Sequence, residues 1–113
     1  MPSLEAWAEG LPVAITVTSA DGTIVAMNAR SCETFAADGG PALVGRSVFD
    51  CHPPRARAKT EALYVGQRPN HYTIRKNGQR KIIHQIPYTV DGEFAGVVEL
   101  AIPIPDELPH FDR

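Results

Sequence analysis

Two short runs hold the side chains through which this chain could do chemistry: His84, within Ile82-Ile83-His84-Gln85-Ile86-Pro87-Tyr88, and the segment Cys51-His52-Pro53-Pro54. Strand alternation puts His84 on one face with Ile82, Ile86 and Tyr88, the face with the larger apolar groups, so the imidazole is expected to point inward. An imidazole in an apolar cavity can ligate iron or hydrogen-bond a polar ligand. The alternative is a core histidine satisfied by a neighbouring backbone group. Cys51 and His52 stand where the longest helix should begin. There the two prolines account for a rigid first turn by themselves, so the run reads either as packing or as a binding segment. A thiol near a helix N-terminus has its thiolate stabilised, which makes Cys51 and Cys32 redox candidates, although cysteine also serves as a small buried hydrophobe.

His71 shares a face with Thr73 and Arg75 and is expected in solvent. Arg75, Lys76, Arg80 and Lys81 surround Asn77-Gly78 and form either a basic tip for an acidic partner or a solvated turn. A general acid and base could be drawn from His84 and Glu99. Alternation opposes this pairing, because Glu99 falls on the face away from Val98 and Leu100, taken as inward-facing. No enzyme is expected.

These residues must be positioned by an ordered series of elements. Val13, Ile15 and Val17 alternate with Ala14, Thr16 and Thr18, the period-two pattern of a strand over 13–18 with one buried face. Ala20-Asp21-Gly22 turns the chain into a second strand over 23–28, giving a hairpin. Asn28 can cap a short helix over 29–36, stopped by Gly39-Gly40-Pro41. After an irregular stretch, a longer helix starts at the prolines, repeats Ala56, Thr60 and Leu63 along one face and ends at Gly66. Strands over 71–76, 79–90 and 94–102 follow, joined by the hairpin dipeptides Asn77-Gly78 and Asp91-Gly92. The result is an α+β domain with an antiparallel sheet.

Residues 1–10, with Leu4 and Trp7 three apart, read as a short amphipathic cap. Residues 11–103 form the domain proper, and 104–113 form a proline-containing tail. Trp7 either covers the sheet or packs on a second copy, so a homodimer is expected.

A chain of 113 residues is one domain, with 43% hydrophobic and 21% charged residues, close to globular averages. A formal charge of −2 supplies no field to attract nucleic acid or anionic lipid. The longest nearly apolar stretch, 94–104, is interrupted by Gly96 and Glu99, so no membrane span is expected. Two cysteines make no disulfide framework and fit a reducing cytoplasm.

The layout resembles the PAS family in four phrases: Asp21-Gly22-Thr23-Ile24-Val25 with Asn28-Ala29; Leu43-Val44-Gly45-Arg46-Ser47; Asn77-Gly78; and Asp91 to Val98. Each phrase is partly turn grammar, but their order spans nearly the whole chain. A Cys-His-Pro-Pro run also occurs in some bacterial members. The resemblance implies a PAS-like five-stranded antiparallel sheet with short helices over one face and a pocket between them. Cys51, His52, Tyr72, Ile82, His84, Ile86 and Tyr88 are the residues expected at that pocket. It further implies a stand-alone sensory or protein-interaction module that binds a small ligand and signals to a separate protein. A haem-based gas or redox sensor is the alternative, with His52 as first axial ligand, since haem-binding members take their histidine from this helix region, and His84 as second. Flavin-adduct chemistry is argued against, because Val48 stands where that subclass has its reactive cysteine.

Overall fold

The computed structural model describes residues 4–50 and 54–113. A short helix α1 (Ala6–Glu9) leads into the hairpin β1 (Ala14–Thr18) and β2 (Ile24–Met27). Helix α2 (Ala29–Thr34), two short 3-10 turns and the longer helix α3 (Pro54–Gly66) follow, then the meander β3 (Asn70–Lys76), β4 (Gln79–Val90) and β5 (Glu93–Pro103). The five strands form one antiparallel sheet in the order β2-β1-β5-β4-β3, so the first hairpin is sewn to the meander through β1 and β5. No helix among the described residues is long and apolar enough to cross a membrane.

Local chemistry explains the joints. Asn77 and Asp91 adopt φ of 51° and 52° ahead of Gly78 and Gly92, the paired positive angles that a tight hairpin turn requires. The Asp21 carboxylate accepts from Ser19 Oγ at 2.5 Å and from the Thr23 amide at 3.0 Å, closing the first turn, and both bonds lower its pKa.

Asn28 binds three segments into one unit. It is completely buried. Its Oδ1 accepts from the amides of Ile15 and Ser31, each at 2.9 Å, and so caps α2 while holding β1. Its Nδ2 donates to the carbonyls of Ala8 at 2.9 Å and Val13 at 2.8 Å, which ties down α1.

At the other end of the helical layer, Leu63 and Tyr64 of α3 pack on Val97, with Phe49 and Phe94 edge-on to the Tyr64 ring. The Tyr64 hydroxyl meets Thr18 Oγ1, and that same oxygen accepts from the Val97 amide at 3.2 Å. Gly96 is required nearby: at φ 152° a Cβ there would stand 1.9 Å from the Thr18 carbonyl oxygen. In place of such a side chain, Tyr88, its partner on β4, reaches across to donate to that carbonyl at 2.9 Å.

The sheet's facing differs from the sequence expectation. Thr16 shares a hydrogen bond with Ser31 on α2 and Thr18 contacts Tyr64 on α3, so the even positions of β1 face the helices. Register carries that face to Val97, Glu99 and Ala101 on β5, then to Lys81, Ile83 and Gln85 on β4, then to Tyr72 and Ile74 on β3. Ile82, His84 and Ile86, like Val98 and Leu100, therefore lie on the outer face. The apolar pattern misled because both faces are apolar, and the outer one carries the larger side chains.

Candidate functional site: a cavity between the sheet and the helical layer

Between the inner face and the helical segments lies a cavity of about 490 Å³, inside the range typical of small-molecule sites. Small side chains create the room: Thr16 and Ala101 lie where larger residues would fill the space, and Ile83, paired with Ala101 across β4 and β5, continues the floor. Ile24, Met27, Phe35 and Leu43 make an apolar wall from β2 and the segment after it, continuous with a packed cluster that also includes Cys32, Val44 and Val48. Tyr72 and Ile74 on the edge strand β3 close the far side.

On the sheet side, polar side chains come from β1 (Thr16), β5 (Glu99) and β3 (Tyr72). Glu99 lines the cavity, and its Oε2 accepts from Gln85 Nε2 at 3.0 Å across the β4–β5 pair. Burial pushes the Tyr72 phenol above its usual range, and the neighbouring Glu99 charge adds to the effect. Thr16 Oγ1 stands 2.6 Å from Ser31 Oγ, at the helical border. Glu99, Thr16 and Val48 also border a recess of about 30 Å³ that runs toward Tyr64 and Thr60, large enough for one or two waters. The rim carries Arg46, Lys76 and Lys81 against Asp38 and Asp50. Asp50 lies 4.0 Å from the Arg57 guanidinium.

The residues anticipated from sequence are distributed as follows. Tyr72 lines the cavity. His84, Ile82, Ile86 and Tyr88 do not: they stand on the opposite face, because the inner register runs through Lys81, Ile83 and Gln85. His84 contacts His71 there, with the two Nδ1 atoms 2.7 Å apart. Cys51 and His52 lie outside the described residues. Glu99, expected to point away, points in, so His84 and Glu99 still occupy opposite faces and form no acid–base pair. Cys32 packs against the apolar cluster, and burial, with the Glu9 charge behind it, pushes its thiol up. That direction is opposite to an activated thiolate. The basic residues around the turn at 77–78 divide: Lys76 and Lys81 face the cavity, while Arg75 and Arg80 pair on the outer side. Trp7 is 69% exposed and does not cover the sheet.

Thr16, Ile83, Glu99 and Ala101 were missed as cavity residues. One signal for them was present: Ala14, Thr16, Glu99 and Ala101 form a face of small and polar groups, the composition a sheet needs where it lines a void.

Among known proteins, the family profile described as PAS fold matches residues 8–106. No curated protein matches the chain. A C-terminal domain from Streptococcus mutans superposes with a TM-score of 0.70 at 26% identity, covering 85% of this chain and 78% of that one. The PAS domain of an HTR-like protein from Haloarcula marismortui superposes at 0.62 with 22% identity, covering 88% and 87%. The Aer2 receptor from Vibrio cholerae, described as a dual PAS-heme oxygen sensor, also superposes at 0.62, with 16% identity over 86% and 98% of the two chains.

Proposed function

The chain belongs to the PAS fold family, and from that premise we propose that it is a non-catalytic sensory module whose inner cavity takes a small amphipathic organic ligand. The observation that carries this reading is the cavity itself: about 490 Å³, with an apolar wall and the polar side chains Glu99, Tyr72 and Thr16 on its sheet side. A ligand with an apolar body and hydrogen-bonding groups matches that lining, and the polar side chains on the sheet would set its orientation.

Signalling requires that occupancy reach another surface. Glu99 and Ala101 on β5 and Ile83 on β4 line the cavity, while the residues beside them in the strands, Leu100 and His84, face outward. A ligand that shifts the inner register thus moves the outer face directly. That face presents Ile86 at 37% exposure, with Ile82, Val98 and Leu100 half-buried beside it. It is the surface we assign to a separate signalling partner or a second copy of the chain.

Haem is a poorer fit for the described residues. Among them no imidazole lines the cavity, since His84 faces outward, and His52 lies outside them. A haem reading therefore rests on His52, and a histidine-ligated haem spectrum lost in His52→Ala is its test.

The test is a thermal-shift screen of small organic compounds, with hits titrated calorimetrically against wild type and Ala101→Leu. Hits that stabilise wild type and lose at least about tenfold in affinity in the variant support the reading, since the added side chain would occupy ligand space. Hits indifferent to Ala101→Leu overturn it.

A further inference from the structure

His71 and His84 are direct partners across β3 and β4. Counted outward from the two-residue Asn77-Gly78 turn, where Lys76 and Gln79 form the first hydrogen-bonded pair, they fall on a non-hydrogen-bonded pair, the type whose side chains stand closest, with Cα atoms about 4.5 Å apart. Their rings are at 73° with centroids 4.9 Å apart, and the Nδ1 atoms converge to 2.7 Å.

From this geometry we propose that His71 and His84 form a two-imidazole site for a divalent transition metal of the zinc, nickel or copper class, on the outer face of the sheet. Imidazole nitrogen suits these ions. A zinc ion bound at about 2.0–2.1 Å by two nitrogens at right-angled to tetrahedral angles holds them about 2.8–3.4 Å apart. Opening the present 2.7 Å contact by a few tenths of an ångström reaches that spacing, and small χ rotations of the two rings supply it.

The nearest paired positions on that face are neutral. Toward the turn the next outward pair is Thr73 and Ile82, and the cationic Arg75–Arg80 pair lies one pair beyond that. On the other flank, His84 pairs with Leu100 of β5. Both ligands sit within paired strands, so their backbones are fixed before the ion arrives. Two coordination positions remain for water or an incoming group, on the same face that we assign to partner docking. This inference does not rest on the inner cavity holding a ligand.

The experiment is calorimetric titration of the full chain with ZnCl2 alone, using wild type, His71→Ala, His84→Ala and a His110→Ala control. Two-dimensional NMR of the imidazole resonances accompanies it. The expected result is saturable binding with shifts confined to His71 and His84. Either single variant should lose at least about tenfold in affinity, as much as or more than the loss of a supporting residue costs a metal site, and the control should bind as wild type does. Neither histidine is buried, so the variants should keep the wild-type circular dichroism spectrum. Absence of saturable binding in the wild type, or its persistence in His71→Ala or His84→Ala, overturns the assignment.

Discussion

Gln85 donates to the Glu99 carboxylate at 3.0 Å across paired positions of β4 and β5, and this contact holds a charged group on the cavity side of the sheet. The amide holds the carboxylate in place as one polar group of the cavity lining. A hydrogen bond to a charged acceptor in a partly buried site should give a coupling of about 1–2 kcal/mol in a double-mutant cycle of Gln85→Leu and Glu99→Leu, measured by urea unfolding. Additive single effects would show that the contact is incidental.

Asn28 should be the most sensitive polar position in the domain. Asn28→Ala leaves the Ile15 and Ser31 amides and the Val13 carbonyl without this partner, so a loss of about 3–5 kcal/mol is expected in denaturant unfolding. A loss under about 1 kcal/mol would mean that water replaces the side chain at little cost.

Two glycines separate steric from conformational cost. Gly78→Ala meets only the strain of φ 78°, because no atom lies near its added methyl, and should cost about 1 kcal/mol. Gly96→Ala drives a methyl into the Thr18 carbonyl and displaces the Tyr88 bond, so it should cost at least about 2–3 kcal/mol. Equal costs would contradict the close approach of β1 to Gly96.

Burial raises the Tyr64 phenol above its ordinary value of 10.0, an effect that outweighs the lowering by the Thr18 hydrogen bond. The neutral form is the one the fold accepts. The associated stability is therefore complete below pH about 10 and declines above it, where the unfolded chain ionises first. Tyr64→Phe should be less stable than wild type by about 1 kcal/mol near neutrality through the lost hydrogen bond, yet fall less steeply between pH about 9 and 11. Parallel pH profiles would count against this origin.

Much of the architecture was legible in sequence, because turn chemistry is local. Asn77-Gly78, Asp91-Gly92 and the Asn28 cap depend on backbone angles and on hydrogen bonds a few residues long, and each marks a joint that the structure contains. Which face of the sheet lined the cavity was not legible. The rule that larger apolar groups point to the core fails where the core contains a void: the void is framed by Thr16, Glu99 and Ala101, while Ile82, Ile86 and Leu100 face outward. The 2.7 Å approach of His71 and His84 was equally hidden, since it depends on strand register set by a turn six residues from either ring.

Native mass spectrometry of the gently purified protein, beside Ala101→Leu and His84→Ala, shows whether the inner cavity accommodates a small organic molecule. A bound small mass is expected in wild type and in His84→Ala, with its loss in Ala101→Leu. A bare protein mass in all three, or a bound mass that survives Ala101→Leu and disappears in His84→Ala, would contradict it.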